Sequence, residues 1–164
     1  WLFLQVLPGR FMAATETPDN FPLLRDLVQS VFSFFPHTPA LQIGLNRDIR
    51  FAIPSVDEWH QIGHTLAPKD VWKKHLSEPG MLSLTMHSPR SDKRAGHVQV
   101  SVKPMKTTRP YEVEVAYNSH VDLPPKSTMD SSLNDVTSEW DIALNAAEAL
   151  AVDVISRAMR VPIQ

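Results

Sequence analysis

The sequence predicts an α+β fold: an antiparallel, meander-containing sheet covered on one face by helices, with a long C-terminal helix. Three observations carry that expectation. Three successive segments alternate apolar and polar residues, with Leu82, Leu84 and Met86, then Val98, Val100 and Val102, then Tyr111, Val113, Val115 and Tyr117 on one side. That is the period of a half-buried strand. A stripe of Leu133, Val136, Trp140, Ala143, Leu144, Ala147, Leu150, Ala151, Val154 and Ala158 recurs at three and four residues, the period of a helix about seven turns long. The 14 prolines fall mostly at joints, where a fixed φ and a missing donor end one element before the next begins.

Taken in order, residues 1–7 and 10–15 read as two short strands joined at Pro8-Gly9. After the break at Thr17-Pro18-Asp19-Asn20, the spacing of Phe21, Leu24, Leu27, Val28, Val31 and Phe32 predicts an amphipathic helix stopped by Pro36 and Pro39. From Ala40 to Ile53 the odd positions are apolar except Arg47, so a single long strand is expected, with a bulge at Arg47 or, alternatively, a turn at Asn46-Arg47-Asp48. Ser55-Val56-Asp57-Glu58 is a capping box opening a helix over about residues 56–65. Pro68 suits the first turn of a second short helix whose Val71, Trp72 and Leu76 face inward. In the meander that follows, the polar loops 88–96 and 104–110 are expected to be mobile. Ser132 to Asp135 supplies a cap for the last helix, whose alanines permit close approach to the sheet and whose Arg157 and Arg160 suit the negative end of its dipole.

A chain of 164 residues is a normal size for a single domain, here 1–164, with roughly 70% of the unfolded surface available for burial. Without cysteine, disulfides, thiolate ligands and cysteine nucleophiles are excluded, and a cytoplasmic location is the default. The apolar opening is far too short for a membrane span and is closed by Pro8-Gly9-Arg10. A start at Trp rather than Met points to a longer gene product. Residues 51–110 carry 9 Lys+Arg against 5 Asp+Glu, and residues 111–164 carry 3 against 9, which suggests pairing between the middle and the tail rather than a nucleic-acid footprint.

The residues Ile43-Gly44-Leu45-Asn46, Glu58-Trp59, Gly63-His64, Leu66-Ala67-Pro68-Lys69, Trp72 and Asn118-Ser119-His120 together resemble a family of bacterial proteins without a settled activity. The resemblance covers about Leu41 to the final helix. It implies a bacterial, cytoplasmic protein and transfers no catalytic residue.

Asp57, His60 and His64 lie within one helical stripe, and imidazoles at i and i+4 can share a metal if a third ligand is supplied by His120 with Asp122, or by His87 and His97. Against this, such spacings are common and the two histidines are as readily surface residues. His120 and Asp122, with Asn118, form a second polar cluster at a strand end, where a histidine oriented by a carboxylate would serve as a general base. No nucleophile elbow accompanies them. Arg90, Lys93 and Arg94, with Lys103, Lys106 and Arg109, offer a phosphate grip, yet without interleaved aromatics or a glycine-rich loop nucleic acid is not the expected partner. Trp59, Trp72 and Trp140 read as core, with Trp140, Tyr111 and Tyr117 as pocket walls if a ligand is bound. The sequence contains no cofactor motif. These readings favour a non-catalytic binding or assembly module, with a protein partner or homo-oligomer; the alternative is a metal- or small-ligand-dependent enzyme built on Asp57, His60, His64 and His120.

Overall fold

A computed structural model describes residues 1–160. The described residues form two compact units: Trp1–Ile43 with Asp122–Asp141, and Gly44–Val121 with residues 142–160. Each is built from discontinuous segments of the chain. No helix among the described residues is long and apolar enough to cross a membrane.

In the first unit, β1 (Phe3–Leu7) and β2 (Arg10–Ala14) form an antiparallel ribbon in the expected register, Leu7 opposite Arg10. Its two-residue turn places Pro8 first and Gly9, at φ 76°, second, the arrangement in which a positive φ favours glycine. A 3-10 turn over Pro18–Asn20 leads into α1 (Phe21–Phe34). Phe11 of β2 meets Phe32 of α1 edge to face at 5.1 Å. Ala40, Met129 and Leu133 form a small core with Val28, Phe32, Ile43 and Leu123 around it.

The larger sheet is four-stranded, in the order β3-β6-β5-β4, from β3 (Gln42–Ile53), β4 (Leu84–Pro89), β5 (Gly96–Lys106) and β6 (Tyr111–Asp122). β3 is one continuous strand. Arg47 follows the alternation onto the same side as Leu45 and Ile49 and there pairs with Glu148 at 3.0 Å, so the polar residue is accommodated by an ion pair rather than by a turn. In the second unit, Ile53, Val102, Val113 and Val115 of the sheet pack with Ile62 of α2 (Val56–Leu66) and with Ala151, Ile155 and Ala158 of the last helix. Helix α2 and the last helix therefore cover one face of the larger sheet, as the α+β reading expects.

Four expectations are corrected. The C-terminal stripe is carried by two helices, α3 (Met129–Thr137) and α4 (Trp140–Arg160), not one. Thr137 Oγ donates to the Leu133 carbonyl at 2.9 Å and Ser138 Oγ to that of Asp135, and such back-bonding competes with helix continuation. Ser132 is not a cap but a buried residue within α3. Residues 68–76 form turns instead of a second short helix, leaving Val71, Trp72 and Leu76 exposed. Here the buried side chain is Lys69, whose Nζ turns back to the carbonyls of Gly63 and Ala67 and satisfies the end of α2. Burial lowers the pKa of this amine. Finally, Leu82, which precedes β4, and Met86, on β4, are exposed; β4 is the sheet's edge and contributes no residue to the core cluster. At the capping box, Ser55 Oγ accepts from the Glu58 amide at 3.2 Å and donates to the Glu58 carboxylate at 2.9 Å.

Candidate functional site on the open sheet face

Alternation that turns valines toward the helices turns a second set of side chains away from them. On β5 that set includes His97, Gln99, Ser101 and Lys103; on β6 it includes Glu114, Ala116, Asn118 and His120. The register pairs His97 with His120, Gln99 with Asn118 and Lys103 with Glu114. On the other side of β5, His87 of β4 pairs with Gln99. His87 is thus diagonal to His97, and their rings lie 4.7 Å apart; His97 and His120 stack at 4.6 Å with an interplanar angle of 20°. Three imidazoles therefore form a continuous row across three strands.

β3 extends the face. Asn118 Nδ2 donates to Asn46 Oδ1, and Arg50 Nε donates to Glu114 at 2.9 Å. As one strand's numbers rise the other's fall, so β3 and β6 are antiparallel, and the same step places Gly44 opposite His120. Asp48, between Asn46 and Arg50, has its carboxyl raised above the usual range, first by loss of water and then by the nearby Glu114 charge, with Arg50 and Arg47 acting the other way.

The backbone at this end of the sheet is fixed by Gly96. It sits at φ 127°, and a Cβ there would collide with the His120 carbonyl oxygen and lie 3.0 Å from its carbon. Only glycine permits the close approach that seats β5 beside His120. The adjoining loop carries side-chain hydrogen bonds of its own. Arg90 donates through Nε to Asp92 at 3.0 Å and through Nη1 to Ser119 Oγ at 2.6 Å, while the Arg94 amide donates to Asp92. The Arg90 hydrogen bonds hold the Asp92 carboxyl at about 2. Arg90 is thereby committed to the loop's own structure rather than presented as a phosphate grip.

The sequence-proposed residues separate into groups. Asp57, His60 and His64 are exposed on α2, with the His60 and His64 rings 6.5 Å apart and His60 edge-on to Trp59 at 5.1 Å. His120 stands in the imidazole row, whereas Asp122 occupies the last position of β6 and is exposed. No group of three or more His, Asp or Glu side chains among the described residues is arranged to hold a metal ion. What the sequence reading missed was the row itself. The signal was available: His97 and His120 are equally distant from the turn at 107–110 and so fall opposite each other in a regular hairpin. No family model matches the chain, and no curated protein matches it.

Proposed function

We propose that this chain is a non-catalytic assembly module that self-associates through the outer edge of the β1–β2 ribbon. The observation that carries this reading is an uncharged, apolar edge strand. Phe3, Leu4, Val6 and Leu7 of β1 are all about half exposed or more, with Val6 at 68%. Residues 1–9 contain no Asp, Glu, Lys or Arg. Edge strands are ordinarily protected by charge, proline or bulges, and β1 has none of these. A two-stranded ribbon is also marginal by itself and gains from added strands.

A second copy is the occupant that the strand fits best. Antiparallel pairing about Gln5 sets Phe3 opposite Leu7 and Leu4 opposite Val6, so the same patch on two copies is self-complementary, as a two-fold contact requires. The cysteine-free composition suits such a module in a reducing cytoplasm.

Sedimentation analysis across a concentration series tests the reading. The expected result is a dimer whose dissociation constant rises at least about tenfold in Val6→Lys and in Leu4→Pro, since a desolvated charge or a missing outward donor at the pairing edge costs more than 1.4 kcal/mol. A strictly monomeric wild type at the highest attainable concentration defeats it. The alternative, a metal-dependent enzyme drawing on Asp57, His60, His64 and His120, predicts stoichiometric metal in the purified protein that a His60→Ala/His64→Ala variant loses. Elemental analysis of both proteins decides between the two.

A further inference from the structure

We propose that the turn over residues 70–78 is a contact surface for an anionic bilayer, seating Val71, Trp72 and Leu76 in the headgroup layer with Lys73 and Lys74 on the phosphates. Every residue from Asp70 to Glu78 is exposed, with Val71 at 72%, Trp72 at 53% and Leu76 at 52%. Large apolar side chains gathered in water on one short segment mark a contact surface. The turn is nevertheless held in shape. The Lys69 carbonyl accepts from the Trp72 and Lys73 amides at 2.9 and 3.0 Å, and the Trp72 carbonyl accepts from those of His75 and Leu76 at 2.9 Å. Lys69 Nζ fastens the segment to the Gly63 and Ala67 carbonyls at the end of α2. Trp72 and Leu76 therefore stand one turn apart on the same side.

The composition of the turn selects a bilayer over a protein partner. Val71-Trp72-Lys73-Lys74-His75-Leu76 sets two ammonium groups directly among the apolar side chains. Lysine is depleted from the core of protein–protein interfaces, where its charge would lose water without a partner. At a bilayer boundary the same arrangement is favourable. A tryptophan ring sits at headgroup level, aliphatic side chains enter the acyl boundary, and lysine stems carry their ammonium groups back to the phosphates.

The charge of this part of the chain fits an anionic surface. Residues 44–121 with 142–160, the unit that bears the turn, carry 13 Lys+Arg against 10 Asp+Glu, although the whole chain stands at −2. Lys73 is paired with Asp70 at 3.2 Å, but the two side chains are 64% and 88% exposed, and so exposed a pair is weak enough to exchange for a phosphate. The contact is peripheral and requires no membrane-crossing helix.

Cosedimentation of the full chain with vesicles of phosphatidylcholine containing roughly one-quarter phosphatidylglycerol, against pure phosphatidylcholine vesicles, tests the proposal. The expected partition is at least about fivefold higher on the anionic vesicles at low salt, the worth of one lysine near such a surface, and falls as salt is added. Trp72→Ser should lower binding at least about tenfold, and Lys73→Glu/Lys74→Glu should abolish the preference for anionic vesicles. Brominated acyl chains should quench a part of the tryptophan emission that is missing in Trp72→Phe. These positions are exposed, and an unchanged urea midpoint in each variant separates lost binding from lost folding. Equal binding to both kinds of vesicle, or undiminished binding in Trp72→Ser, overturns the proposal. Self-association that Trp72→Ser abolishes, in a protein that does not bind vesicles, overturns it in favour of a second copy on this turn.

Discussion

The two faces of the four-stranded sheet are made by the same strands and differ only by which alternate residue points where. On the covered face Val113 and Val115 are 1% and 0% exposed, packed against Ile62, Ala151 and Ile155. On the open face the corresponding positions hold imidazoles, amides and an ion pair, and most remain in contact with solvent. Burial of apolar area stabilises in proportion to the area removed from water, whereas exposed polar contacts contribute little net free energy. The contrast teaches that stability resides on one face and that the other is available for contact with something else.

The largest expected effect breaks the covered face. Ile155→Ala removes a side chain that is 2% exposed at the centre of the core and should destabilise the protein by about 3 kcal/mol, measured by urea unfolding. A loss below about 1 kcal/mol would mean that the site collapses around the deletion and that the α4 contact is not the main support.

Next is the boundary between the two faces, where backbone geometry matters more than either set of side chains. Gly96→Ala forces a methyl onto the His120 carbonyl at a φ that non-glycine residues rarely adopt, and should cost about 2 kcal/mol while altering the His97 and His120 ring signals. Unchanged ring signals at full destabilisation would separate the backbone strain from the seating of the row.

How much of this was legible in the sequence depended on the range of the interaction that decides it. β3, β5 and β6 of the larger sheet, the α1 stripe and the Ser55 cap are set by nearest neighbours and alternation and fall where the pattern places them, whereas the first meander strand begins only at Leu84 and leaves Leu82 and Met86 exposed. The break between α3 and α4 depends on Thr137 and Ser138 turning back to the carbonyls of their own helix, a choice that an apolar stripe does not reveal. Residues 68–76 depart from the pattern for a related reason: Val71, Trp72 and Leu76 have helical spacing, yet the segment is organised by Lys69 reaching the end of α2. The imidazole row lies between these cases, because its members are far apart in sequence but related by hairpin symmetry.

A smaller effect is expected at the rim of the open face. The Asp92 carboxyl is held at about 2 instead of the usual 3.8, chiefly by hydrogen bonds from Arg90. A depressed folded-state value stabilises the fold above the unfolded value and ceases to do so as pH falls through the folded one. The contribution should therefore be complete above pH 4 and be lost between about pH 4 and pH 2. Asp92→Asn should cost about 1 kcal/mol at neutral pH, allowing for solvent screening, and should remove that part of the acid slope. Parallel urea titrations at neutral and acid pH check both points.

The smallest expected effect is the one that most sharpens the comparison. His97 is the middle ring of the row, with a neighbour on each side at 4.7 and 4.6 Å, so removing it interrupts every stacking contact the row makes among its own members. If the open face contributed to stability as the covered face does, His97→Ala would cost as much as a core truncation. Exposed aromatic pairs on a sheet are worth only a few tenths of a kcal/mol to about 1 kcal/mol, and alanine keeps the backbone pairing of β5 with both neighbours. The expected loss is therefore below about 1 kcal/mol, with the folded amide spectrum preserved. A loss near that of Ile155→Ala would show that the row is structural, and the division of labour between the two faces would fail. A small loss leaves a folded protein with a broken row, in which the His120 ring is no longer held from the His97 side.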